Sequence, residues 1–206
     1  MNYIENIFIC LAAPLLIAVL CLKDTRRRLV ISLLAGMTAC LLSSYINTFI
    51  AAVMQADRLS ASLEIAPMVE EIMKLFPLLF YLLVFEPRIE DASGSMLMIA
   101  VGFATFENVC YLTTNGAAHV LHLVIRGFGT GAMHVVCGAL VSLGLFYLWD
   151  QLWLRAAGTI GLLTLAITYH GIYNILVSQT GFTAWIGYLI PLLTALVLQI
   201  RIRNRG

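Results

Sequence analysis

Residues 65–85 read IAPMVEEIMKLFPLLFYLLVF, and within this stretch only Glu70, Glu71 and Lys74 carry charge. Its length matches the roughly 20 apolar residues that a helix needs to cross a bilayer. A charge at the centre of such a helix costs about 2.5–3.5 kcal/mol on insertion scales, so it is kept there for a use. The stretch therefore predicts a membrane helix and a polar site together.

Working outward, six more apolar runs flank it, at 5–22, 29–54, 96–113, 124–149, 156–177 and 183–200. The breaks between them are Lys23–Arg28, Gln55–Glu64, Glu86–Ser95, Thr114–Leu123, Asp150–Arg155 and Ser178–Phe182. Of the 206 residues 61% are apolar and 11% charged, whereas soluble domains run near a quarter charged. A soluble globular chain is excluded. The expected fold is all-α, a polytopic transmembrane bundle of about seven spans in one domain over 1–206, with a motif-bearing core at 65–177. A formal charge of +1 argues against a nucleic-acid partner. Cys10, Cys21, Cys40, Cys110 and Cys137 all fall in apolar runs without a C-x-x-C pair, and read as packing residues.

Charge distribution gives an orientation. Placing the break after the first span in the cytoplasm puts Lys23, Arg26, Arg27, Arg28, Arg88, Arg155, Arg201, Arg203 and Arg205 on that side, against Arg58 outside. The N-terminus is then external and the C-terminus cytoplasmic. Lys23–Arg28 follow the first apolar run instead of preceding it, the reverse of a secretory signal. His119 and His122 read as interfacial, and Trp149, Trp153 and Trp185 as interface anchors.

Other polar residues join Glu70, Glu71 and Lys74 within the spans. Glu107 and Asn108 lie in the fourth, His134 in the fifth, and His170 and Asn174 in the sixth. At 1.5 Å per residue, Glu70, Glu107, His134 and His170 sit at similar depths, roughly 8–15 Å below the outer surface. Four helices running in alternate directions would share that depth only by building one site. Either Glu70 or Glu71 can pair with Lys74, at i,i+4 or i,i+3. Phe103 and Glu107 share a face, as do His170 and Asn174. Gly127, Gly131, His134, Gly138 and Ser142 line another face, where small residues let backbones approach and hold His134 away from lipid.

Carboxylates, two histidines and an amide in a wet intramembrane cavity suit hydrolysis. A carboxylate deprotonates water and a His–Asn pair binds the oxyanion; alternatively Glu and His hold zinc and lower the pKa of its water. Other intramembrane protease chemistries do not fit. No H-E-x-x-H occurs, Asp24, Asp57, Asp91 and Asp150 all lie in connections, and Ser93-Gly94-Ser95 has no partner histidine.

Glu70-Glu71-x-x-Lys74, Phe103-x-x-x-Glu107-Asn108 with Tyr111, His134, and His170-x-x-x-Asn174 resemble the PrsW family of intramembrane proteases. Its wider superfamily includes the CAAX-prenyl endopeptidases and bacteriocin-processing or immunity proteins. The resemblance spans residues 66–177. It implies a glutamate-dependent endopeptidase of the bacterial plasma membrane, with a metal left open, acting on a single-span membrane protein such as an anti-sigma factor. The prenyl-endopeptidase branch has E-E-x-x-x-R and F-x-x-x-H; here Lys74 comes one position earlier and Glu107 replaces the histidine, which argues against prenylated substrates. The roles expected are Glu70 as general base and Glu71 paired to Lys74. Glu107 and His134 would position water or metal, and His170 and Asn174 would stabilise the oxyanion, with Phe103 and Asn108 supporting. A metal, if used, would draw on Glu71, Glu107, His134 and His170. The cofactor is thus zinc or none. The metal-free version asks less of the sequence, because no two histidines share helical spacing and Lys74 already neutralises one carboxylate. Two other classes use similar residues: proton-coupled transporters, and non-catalytic immunity or scaffold proteins of the same fold.

Overall fold

The computed structural model describes residues 4–116, 120–149 and 151–203. His119, Asp150 and Arg205, read above as an interfacial histidine, a connection and part of the basic tail, lie outside them.

Every element among the described residues is helical. In order they are α1 (Ile4–Cys21), α2 (Asp24–Met54), α3 (Arg58–Ser60), a π-helical turn (Ala61–Ile65), α4 (Ala66–Phe85), α5 (Ile89–Asn115), α6 (Val120–Leu148), α7 (Leu152–Val177) and α8 (Phe182–Arg203). Six helices are long and apolar enough to cross a membrane: α1, α2, α5, α6, α7 and α8. The seventh expected span, α4, has 20 residues and reaches about 30 Å, but it carries the three charges. The chain is a multi-pass membrane protein, and its surface fits that setting, with Leu20, Phe49, Phe80, Phe128, Phe182 and Leu193 all exposed.

Two expected breaks are shorter than the sequence suggests. Residues 55–64 already turn helical at Arg58, where the Asp57 carboxylate accepts the N–H of Ser60 at 2.7 Å, an N-cap interaction. That bond also holds the Asp57 carboxyl below its usual range. Residues 89–95 belong to α5, so Ser93-Gly94-Ser95 is helical. The break reduces to Glu86–Arg88, where α4 ends with Glu86 in the left-handed region at φ 44°.

Helices α2 and α5 make the most extensive pairing and cross very closely. A Cβ on Gly36 would overlap the carbonyl of Ile99, and one on Gly102 would overlap that of Leu33. Small residues permit such an approach. The glycine face expected on α6 contributes less: Gly138 meets Ala100 of α5, while Gly131 has open space beside it. One core cluster joins α4, α5, α6 and α7 through Leu75, Leu78, Met96, Met133, Cys137 and Ala166. A second joins α2 and α5 through Met37, Cys40, Phe103 and Phe106, with Phe8 of α1 packed edge-on against Phe106. The polar residues lie between these clusters.

Candidate active site

Lys74 is fully buried and chooses between its two neighbouring acids. Its Nζ lies 2.5 Å from Oε1 of Glu71, the i,i+3 partner. Glu70 turns toward α2 and α7, with Oε1 accepting from Nδ2 of Asn47 at 3.4 Å and Oε2 3.9 Å from Nε2 of His170. Pro77, one turn further along α4, leaves the carbonyl of Met73 without its i+4 donor.

From α6, His134 approaches Lys74 and has no exposed surface. The ammonium donates to Nδ1 at 2.9 Å, which leaves the ring proton on Nε2. That N–H donates to Oε2 of Glu107 on α5 at 2.6 Å. Phe103, one turn before Glu107, packs on His134 with ring centroids 5.0 Å apart, and Lys74 Nζ stands 5.1 Å from the Phe103 ring centre. Glu107 Oε1 accepts from Nη2 of Arg126 at 3.0 Å, and Nη1 of the same guanidinium donates to Oδ1 of Asn108 at 2.5 Å. Arg126 also stacks over the ring of Tyr111 at 3.7 Å.

His170 of α7 donates from Nδ1 to Oε1 of Glu71 at 2.7 Å. Its Nε2 therefore carries the lone pair, on the side of Glu70. The two histidine rings meet edge-to-face at 5.2 Å. A continuous chain of acids and bases results: Glu70, His170, Glu71, Lys74, His134, Glu107, Arg126. Glu71 is neutralised by Lys74 and Glu107 by Arg126. Glu70 has no Lys or Arg partner among the described residues. Accessibility divides the chain differently. The side chains of Glu71, Lys74, His134 and His170 are at most 3% exposed, whereas Glu70 is 15% and Glu107 27% exposed.

Asn174 stands apart from this chain. Its amide donates to the carbonyl of Ser62 at 2.9 Å. The reason lies in the π turn, where Ala66 N–H bonds to Ala61 O, five residues back. The next donor in that register would be residue 67, bonding to Ser62, but Pro67 has no N–H. Asn174 fills the gap and ties α7 to the start of the helix that carries the acids. π turns of this kind are frequent at functional sites. His122 is exposed and pairs with the hydroxyl of Tyr111 at 3.1 Å.

These seven long helices, with acids and histidines converging from four of them, agree with one further finding. A family model described as PrsW family intramembrane metalloprotease matches residues 24–200. The chain belongs to this family. No curated protein and no solved structure matches it. Membership of the PrsW family makes intramembrane proteolysis the class of activity.

The family's description implies a metal, and the donors can be tested against that. Glu70, His134 and His170 offer ligand atoms within 4.8 Å of one another. This grouping shares His134 and His170 with the expected set of Glu71, Glu107, His134 and His170, whose two carboxylates are held by Lys74 and Arg126. Glu70 and Nε2 of His170 suit a divalent cation: one is an unneutralised carboxylate, the other an imidazole lone pair whose far nitrogen is fixed by Glu71, a usual second partner of a metal-ligating histidine. His134 has both ring nitrogens engaged, Nδ1 by Lys74 and Nε2 by Glu107, and joins as a third donor by exchanging one of these partners for the ion. With that exchange the residues fit.

Two contributors escape the sequence reading. Arg126 sits at the edge of its span and reads there as a topological charge, although it lies eight positions before His134 on the same helix. Asn47 is a lone amide within α2.

Proposed function

We propose that this chain is an endopeptidase that cuts a membrane-anchored protein near the outer leaflet, with Glu70 taking the proton from the attacking water. The observation that carries this reading is the single carboxylate left without a cation, on the accessible side of a site whose other charges are matched. A carboxylate with no counter-ion is free to accept a proton, which general-base catalysis requires. Water loses its proton to Glu70 and its oxygen adds to the scissile carbonyl. The proton then passes to the leaving amide nitrogen as the C–N bond breaks. Glu71 orients His170 by accepting its Nδ1 proton, so Nε2 faces the reacting water as a hydrogen-bond acceptor. That places His170 beside the nucleophile and makes it a poor oxyanion donor. The N–H group beside Glu70 belongs to Asn47, and this is the donor for the developing oxyanion.

A second reading is favoured by the family's description together with the grouping of Glu70, His134 and His170. A divalent cation held there would lower the pKa of bound water and polarise the carbonyl. In that reading Glu71 still fixes the tautomer of His170, and Lys74 or Glu107 is the partner of His134 that moves.

The test co-expresses the chain with single-span membrane proteins and follows the cleavage product, then measures metal content and chelation of the purified enzyme. Loss of product with Glu70→Gln, and cleavage that persists after prolonged chelation, supports the first reading. Stoichiometric metal whose removal stops cleavage and whose return restores it selects the second. Unchanged cleavage with Glu70→Gln overturns both. Ion flux through the chain in liposomes, with no cleavage, would make it a transporter.

A further inference from the structure

On the side of Pro77 away from the acids, toward the Lys23–Arg28 end of the bundle, a cleft of about 560 Å³ opens between α2, α4 and α5. Its volume falls in the range of roughly 300–1,000 Å³ typical of ligand sites. Asp24, Arg27 and Arg28 stand at its polar lip, and Ala35, Phe80 and Ile99 are among the residues lining its apolar interior.

We propose that this cleft is a binding site for one anionic phospholipid, with the phosphate on Arg27 and Arg28 and an acyl chain lying along α2. Three observations meet here. The first is length. From Asp24 to Ala35 the cleft follows eleven residues of α2, about 16 Å at 1.5 Å per residue. The hydrocarbon core of a bilayer is about 30 Å thick, so the groove is one leaflet deep.

The second is charge. Arg27 and Arg28 line the cleft with Asp24; Asp91 pairs with Arg28, and Arg27 has no carboxylate partner among the described residues. Basic pockets between membrane helices on this side of a bilayer take anionic head groups.

The third is a positioned cation. Arg28 gives Nη2 to Asp91 at 2.8 Å, which fixes its guanidinium at the lip. The side chain stays 23% exposed there, within reach of a phosphate oxygen. The exposed rings of Phe80 and Phe85 (61% and 63%) border the groove and present apolar surface to the chain.

The site has a bearing on the acids, because Pro77 lines the same cleft one turn from Lys74. An acyl chain seated there packs against the proline-interrupted turn of α4.

Native mass spectrometry of the full chain from mild detergent, supplied in turn with phosphatidylglycerol and phosphatidylcholine, tests this. One phosphatidylglycerol should be retained selectively. Arg27→Ala, at an exposed position, should weaken retention about fivefold, the worth of one cation near a membrane surface. Ala35→Phe should remove it by filling the groove with both arginines in place. Equal retention of phosphatidylcholine overturns the proposal, as does unchanged retention in Arg27→Ala; the second variant is not needed to fold for either result to count.

Discussion

Lys74 donates to Nδ1 of His134 at 2.9 Å, so one ammonium sets the tautomer of a histidine sixty positions away and directs its other N–H to Glu107. The same ammonium neutralises Glu71. Neither Lys74 nor His134 has exposed surface, so both interactions act without water to screen them.

Removing one partner of a buried ion pair strands the other charge, at a cost of about 3–5 kcal/mol. Lys74→Met should therefore lower the unfolding midpoint in detergent by that equivalent. Adding Glu71→Gln to Lys74→Met should recover the larger part, because no charge is left unmatched. A double variant as unstable as the sum of the singles would show that the pair is not coupled.

Arg126 acts through Glu107, whose far oxygen meets His134. Arg126→Ala should reduce kcat about 10–100-fold, the usual worth of an orienting partner, with KM changed less than twofold. Arg126→Lys, which keeps charge but loses the two-pronged contact with Glu107 and Asn108, should fall between. Equal kcat in all three would remove Arg126 from the machinery.

Asn174 offers a choice between two roles. If its work is to cap Ser62, Asn174→Ala should cost about 0.5–1.5 kcal/mol of stability and less than tenfold in cleavage. Pro67→Ala should offset the loss by restoring a backbone N–H. If Asn174 stabilises the oxyanion, cleavage should fall about 10²–10³-fold and Pro67→Ala should not help. The hydrogen bond to Ser62 predicts the first outcome.

The distribution of Lys and Arg predicts orientation. A reporter inserted at Gly116, between α5 and α6, should be external, and one fused to the C-terminus cytoplasmic. The opposite result would put the acids near the inner surface.

How legible was all this in the sequence? The helices were, because hydropathy marks where each lies, although α2 and α5 begin before their apolar runs, at Asp24 and Ile89. The meeting of Glu71 with Lys74 was open to helical spacing, but so was Glu70 with Lys74. Spacing along one helix could not separate them, since the choice is made by His170 and Asn47 arriving from other helices. Asn174 looked like a partner of His170 because the two share a face. The missing N–H of Pro67 draws it elsewhere, and that follows only from the π register. The close crossing of Gly36 with Ile99 was masked for a different reason: α2 and α5 have no conspicuous glycine ladder, and one glycine on each suffices.

The seven-member chain of acids and bases also bears on how the protein is made. Three charges cost α4 several kcal/mol in lipid when it emerges alone, and they set it apart from the other six long helices, each of which offers an apolar stretch with at most two. The groups that settle Glu71 and Lys74, His134 and His170, are synthesised 60 and 99 residues later. Helix α4 must therefore wait at the membrane surface or in the insertion machinery until α6 and α7 arrive, and α7 holds its N-terminal end at two points, through His170 on Glu71 and Asn174 on Ser62. A cysteine introduced on α4 by Met73→Cys should react with water-soluble thiol reagents in a chain truncated after α6, and be hidden in the full-length chain. Assembly of this bundle is thereby gated by the residues that make its site.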